Sequence, residues 1–181
     1  MRVEPLGLEG LKLVVPVLHG DDRGFLLESY SRDRYRAAGI DVDFVQDNHS
    51  RSKRSTLRGL HYQSDPGQAK LVRVGAGRIF DVVVDLRLDS PTFGQWEGVH
   101  LDAEDHAQLL VPVGFAHGFC VLSDFADVLY KVSSVYDSKT ERTISWCDPD
   151  IAIDWPVAQP ILSERDRDAP TLADYRRSAQ Q

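Results

Sequence analysis

The sequence predicts an all-β protein, an antiparallel sandwich or barrel with a few short peripheral helices. Two observations carry this. Short β-rich runs follow one another along the 181 residues, separated by Gly, Pro, Asp and Asn. Helical periodicity is confined to brief segments, and no fixed-period repeat or low-complexity linker divides the chain, so residues 1–181 read as one domain.

Taken in order, Leu11 to Leu18 reads as a strand, His19 to Gly24 as a turn and Phe25 to Tyr30 as the returning strand. Ser31 is placed to cap a short helix that Gly39 stops. Further strands are expected at 43–47, 56–62, 69–75, 78–87, 95–101, 108–111, 117–123, 126–136 and 142–146. The segments 163–168, where Ser163 could cap, and 171–178 read as helical or irregular. Pro149, Pro156, Pro160 and Pro170 punctuate this tail, which is expected to wrap over the barrel.

Composition narrows the function. A net charge of -7 argues against nucleic-acid binding, which requires basic patches, while leaving room for a few arginines to hold one nucleotide. Hydrophobic content is 42%, yet no run approaches membrane-spanning length and the start does not resemble a signal peptide, so a cytoplasmic protein is expected. Cys120 and Cys147 are too few for a disulfide framework or zinc pattern and read as small apolar residues.

Four segments could carry chemistry. In TLRGLHYQ (56–63), Arg58 and His61 are three apart and would alternate to opposite faces. Gly59 between them is a natural site for a bulge that re-aims a side chain. If both face one cavity, His61 is suited to take a proton near neutral pH; taken alone, it reads as a core histidine. In the hairpin 68–87, apolar residues on both faces predict a central position. Lys70 there is in phase with Val72 and Val74, so it either points inward as a cation awaiting an anion or snorkels to water. Asp81 and Asp85 either pair with a cationic group in the cavity or sit on the rim. Tyr130, in phase with Val128 and Val132, reads as a core tyrosine or a proton donor. Asp166 gains interest only if the tail brings it to His61, where a carboxylate would fix the tautomer.

PVGFAHGF (112–119) resembles the second sequence motif of the cupin jelly roll. Metal cupins supply two histidines spaced by one residue, and a glutamate, in their first motif. Here the comparable stretch is His61-Tyr62-Gln63, with Lys70 beyond, so a ligand set is not assembled. The resemblance predicts the barrel and argues against a metal, leaving His117 either as a hydrogen-bond donor or, equally, as a structural histidine at a strand start.

Together the segments resemble the dTDP-4-dehydrorhamnose 3,5-epimerase family. The matching strings are DDRGFLLESY (21–30), FVQDNHSRS (44–52), LRGLHYQ (57–63), KLVRV (70–74) and DVVVDLR (81–87). They continue with SPTFGQW (90–96), VPVGFAHGF (111–119), YKVSSVYD (130–137), DPDIAIDWP (148–156) and LSERD (162–166), in the family's order. The resemblance implies a cupin-type jelly roll, a homodimer, no cofactor and a dTDP-sugar substrate. It implies His61 as general base oriented by Asp166, Tyr130 as the acid on the opposite face of the sugar, and Lys70 near the C4 oxygen. Arg23, Glu28, Gln46, Asp47, Asn48, Arg58, His117, Glu141 and Arg165 fall on substrate-binding positions, with Arg165 standing where members commonly have lysine. Arg23 and Arg58 suit a diphosphate, and Phe25 or Tyr30 a stacked thymine; these side chains could reach across a dimer.

Overall fold

The protein, described here by a computed structural model covering residues 1–179, is built from two facing antiparallel sheets. The first contains β1 (Arg2–Pro5), β2 (Lys12–Val15), β5 (Gln46–Lys53), β7 (Lys70–Ala76), β10 (Gln108–Val111) and β12 (Phe125–Val132). Their order across the sheet is β1-β2-β10-β7-β12-β5. The second has the order β13-β6-β11-β8-β9, using β6 (Leu57–Gln63), β8 (Arg78–Asp85), β9 (Trp96–Asp102), β11 (Phe115–Val121) and β13 (Glu141–Thr143). A separate hairpin pairs β3 (Leu18–Asp21) with β4 (Gly24–Leu27). This is the expected jelly roll.

Alternation explains the layers. Inward residues of both sheets, among them Val72, Val74, Ile79, Val83, Leu109, Phe115, Val121 and Val128, form one buried core. Each such side chain contributes roughly 1.5–3 kcal/mol by leaving water. β8 is apolar on both faces, as expected for a central strand. Its outward Val82 and Val84 join Leu60, Ala116 and Ile144 in a second cluster that Ile151, Trp155, Leu172 and Tyr175 of the tail cover. A third cluster lies behind the six-stranded sheet, where Val14, Leu71 and Leu110 meet Tyr35 and Ile40.

The helices are short. α1 (Arg32–Ala37) begins after Ser31, whose side chain makes no capping bond, and ends before Gly39 at a φ of 79°. α2 (Glu164–Arg167) is capped by the Ser163 hydroxyl, which accepts from the Asp166 amide. α3 (Leu172–Ser178) starts with a reciprocal Thr171–Asp174 capping box. The tail is stitched down by Leu57 N–H to Ile161 O, Ser145 N–H to Pro170 O and Tyr175 Oη–H to Leu86 O.

Three elements differ from expectation. β1 is a strand of the sheet edge that the Pro at its end obscures. The expected turn at 19–24 is mostly strand, its register running from Leu18↔Leu27 to Asp21↔Gly24. β5 runs to Lys53, well past the expected end at 47, because its inward positions are polar and give no hydrophobic alternation.

Candidate active site

A cavity of about 340 Å³ opens between the sheets where the apolar core stops. Along β7 the inward series runs Lys70, Val72, Val74, so the same face that fills the core ends in a cation at the cavity. From the five-stranded sheet come Arg58, His61, His117 and Glu141; from the six-stranded one come Gln46, Asn48, Lys70 and Tyr130.

The local irregularity in β6 places Arg58 and His61 on the same side. The β6–β11 register pairs His61 with His117 and Arg58 with Phe119, so the step from Arg58 to His61 is matched by a shorter one on β11. This is the bulge that Gly59 was expected to host. Leu60, between them, is turned outward into the second apolar cluster. Only glycine fits here: a Cβ on Gly59 would lie 2.5 Å from the Cα of Gly118.

Two histidine–aspartate pairs result. His61 Nε2 is 2.6 Å from Asp166 Oδ1, bringing the tail helix α2 to the barrel. Burial alone would raise the Asp166 carboxyl, but hydrogen bonding and charge from His61, with Ser163, outweigh it and hold it below its usual range. An ionised carboxylate only accepts, so His61 Nε2 carries the proton and Nδ1 is free to act as a base. Beside it, His117 Nε2 lies 2.8 and 3.0 Å from the two oxygens of the fully buried Asp81. Of the two acidic candidates in the hairpin, Asp81 faces the cavity pair. Asp85 instead bonds Arg87, Ser90 and Thr92 in the turn after β8.

Lys70 points inward, 7% exposed, and donates to the His61 backbone oxygen at 3.2 Å. Burial pushes its pKa down to about 8, against the opposing pull of Glu141 and Asp81. Burial also raises the Tyr130 phenol, helped by the charge of Glu141 and opposed by Arg58. Glu141 pairs with Arg165 of α2. Burial works against its ionisation, yet the bonds from Arg165 and Tyr136 leave its carboxyl below the ordinary range. Arg58 Nε donates to Ser52 Oγ at 2.9 Å, and Gln46 Nε2 to Asn48 Oδ1 at 2.8 Å.

Three sequence-derived residues stand elsewhere in the chain. Arg23, 88% exposed, pairs with Asp21 in the β3–β4 hairpin. Glu28 lies 3.4 Å from Arg34. Asp47 faces outward from β5 and accepts from Lys131 at 2.5 Å. Phe25 is exposed on the hairpin, whereas Tyr30 is occupied in edge-on contacts with Tyr35 and Phe44. Four lining residues escaped the sequence reading: Ser50, Gln68, Phe119 and Tyr136. Gln68 and Tyr136 are in phase with Lys70 and Tyr130, so the alternation that singled out those two was also a signal for them.

The arrangement offers a base, a phenol from the facing sheet and a buried cation, which suits proton transfer beside a carbonyl. Among the described residues no three His, Cys, Asp or Glu side chains gather as a metal-binding group. The sequence model of a family described as dTDP-4-dehydrorhamnose 3,5-epimerase matches residues 5–174. A dTDP-4-dehydrorhamnose 3,5-epimerase of Pseudomonas aeruginosa is 51% identical over 176 residues, covering 96% of this chain and 97% of its own. A dTDP-4-dehydrorhamnose 3-epimerase of Streptomyces niveus is 45% identical, over 97% of this chain and 86% of its own. The crystal structure of dTDP-6-deoxy-D-glucose-3,5-epimerase from Legionella pneumophila, in complex with dTDP-4-keto-L-rhamnose, superposes with a TM-score of 0.92. It shares 49% identity over 95% of this chain and 93% of that one. By fold and whole-length match alike, the chain belongs to the dTDP-4-dehydrorhamnose 3,5-epimerase family.

Proposed function

We propose that the protein inverts C3 and C5 of dTDP-4-keto-6-deoxy-D-glucose, giving dTDP-4-keto-L-rhamnose for deoxysugar biosynthesis. The observation that carries this is the His61–Asp166 pair facing Tyr130 across one cavity, with Lys70 between the sheets. The 4-ketone acidifies the hydrogens on C3 and C5. His61 Nδ1 takes one of them, and the electron pair moves to the C4 oxygen as an enolate. Lys70 has two N–H groups left after its bond to the His61 carbonyl, and they stabilise that oxyanion. Tyr130 then protonates the carbon from the other face, which inverts it. Solvent removes the proton from His61 and returns one to Tyr130. Asp166 acts as a positioning residue through His61. The reaction transfers no electrons to an acceptor and expels no leaving group, so its chemistry calls for no cofactor.

Arg58 and Arg165 are suited to the diphosphate, and Gln46, Asn48, His117 and Glu141 to the sugar and nucleoside hydroxyls and amides. Tyr136, 52% exposed on the cavity lip, offers an aromatic face for the thymine. The chain acts as a single domain within a homodimer. Support for the dimer is the apolar β3–β4 hairpin, where Leu26 is 74% and Phe25 59% exposed; Arg23 on the same hairpin would complete the site of the partner. Unpaired Cys120 and Cys147 suit a reducing cytoplasm, and no described helix is long and apolar enough to cross a membrane.

Proton NMR of the substrate incubated with protein in deuterium oxide tests this. Deuterium is expected at both C3 and C5, and lost in His61→Ala. Label at a single carbon would make the protein a mono-epimerase, and exchange at neither would end the epimerase reading.

A further inference from the structure

β5 shows the cavity an entirely polar face: Gln46, Asn48, Ser50 and Ser52 alternate inward along it. A sandwich strand normally spends these positions on the core. Three of the four are satisfied within the protein, Gln46 and Asn48 by each other and Ser52 by Arg58. Ser50 is not. Among the described residues its Oγ is the one buried side-chain oxygen or nitrogen without a hydrogen-bond partner, and the residue lines the reaction cavity. Leaving a buried hydroxyl unpaired costs free energy that alanine at the same place would avoid. The register sets Asn48 opposite Tyr130 and Ser50 opposite Val128, so Ser50 lies one inward step along the wall that carries the proposed proton donor.

We propose that the Ser50 hydroxyl is a specificity-determining contact for the sugar ring, hydrogen-bonded to the hydroxyl on C2 of the 4-keto-6-deoxyhexose. The inference rests on the epimerase reading above. C2 follows from the chemistry of the ring by elimination. The C4 oxygen belongs to Lys70, the C1 and ring oxygens are the weakly accepting oxygens of a phosphorylated acetal, and C6 is a methyl. The C3 hydroxyl changes face when its carbon inverts, so a group fixed on a strand cannot hold it throughout. The C2 hydroxyl sits on a carbon that does not react and keeps its configuration through both inversions. Ser50 lines the cavity although its Oγ is shielded from solvent, so the proposed contact requires its χ1 to turn from one staggered well to another. Anchoring C2 keeps the ring in register while C3 and C5 take their turns at His61.

The test compares dTDP-4-keto-6-deoxy-D-glucose with its 2-deoxy counterpart as substrates for wild type, Ser50→Ala and Ser50→Cys. Cysteine keeps the size with a weaker hydrogen bond, so it serves if the alanine variant folds poorly. The contact is made equally before and during reaction, so its loss raises KM and leaves kcat unchanged. Ser50→Ala is expected to lose about tenfold in kcat/KM on the hydroxylated substrate and nothing on the 2-deoxy one, with Ser50→Cys between. Equal losses on both substrates, a loss confined to kcat, or no loss at all would overturn the contact while leaving the epimerase standing. A wild type inert toward both sugars would overturn the epimerase reading and the contact with it.

Discussion

Lys70 answers to two opposite demands. The proposed mechanism needs its ammonium, but burial disfavours that charge and lowers its pKa from 10.5 to about 8. Activity should therefore fall as pH rises through about 8, where the oxyanion loses its cation. Stability runs the other way. Between 8 and 10.5 the unfolded chain binds the Lys70 proton and the folded one releases it, so folding gains as pH rises across that window. The groups facing the ammonium are Glu141, Asp81 and the His61 carbonyl, with Tyr130 and His117 lining the same cavity from opposite sheets. In Lys70→Met the alkaline limb should vanish from a kcat/KM profile lowered about 100-fold or more. Its unfolding free energy, relative to wild type, should lose ground from pH 8 to 10.5 in denaturant titrations. A limb that survives the substitution would assign it to another group.

The same scale shows where sequence reasoning stopped. His61, Lys70 and Tyr130 could be picked out because each interrupts or shares an apolar alternation. Which way Lys70 pointed could not, since inward and snorkelled lysines have the same local pattern; the closing second sheet decides it. Asp166 carried no local signal at all. A Ser-Glu-Arg-Asp run reads as solvated surface until the tail is wrapped, and only the resemblance to a family singled it out.

Among the elements, strands rich in apolar residues were readable: β6 to β12 fall near their expected places because apolar side chains run through each of them, on one face or on both. β5 was cut short for the opposite reason: its inward Gln46, Asn48, Ser50 and Ser52 give no apolar alternation, and the first three line the cavity instead of the core. The turn after β8 owes its shape to one carboxylate. Asp85 accepts from the Arg87 amide at 3.0 Å, from the Arg87 guanidinium, and from the hydroxyls of Ser90 and Thr92 at 2.6 and 2.7 Å. Burial would raise its pKa, but these bonds outweigh that and hold it far below the usual carboxylate range. Its stabilising effect is thus complete above the unfolded value of 3.8 and disappears as pH falls through the folded one. Asp85→Ala should cost about 3 kcal/mol at neutral pH by leaving the Arg87 fork and two hydroxyls unpaired. The gap between variant and wild type in thermal unfolding should narrow below pH 4. A constant gap would mean that the turn, not the charge, carries the stability.

At the level of the whole molecule, the hairpin bearing Arg23 stands away from the cavity of its own chain. In the proposed homodimer, a shared site would let two inactive proteins repair each other. His61→Ala ruins the cavity and Arg23→Ala ruins the hairpin. After subunit exchange of equal amounts, half the dimers are mixed, and each has one site with both parts intact. Activity should recover to about a quarter of the wild-type level. If the mixture is no more active than its components, each site is built within one chain.

The tail, finally, ties two fates together. It brings Asp166 to His61, and through Ile151, Trp155, Leu172 and Tyr175 it also roofs the apolar back of the five-stranded sheet. A chain clipped in this segment is expected to lose the carboxylate bonded to His61 and to lay bare a greasy surface in the same event. Damage there is expected to yield not a slow, well-packed protein but a sticky one, of the kind that chaperones and proteases remove, so that loss of activity and the mark for disposal would come as one.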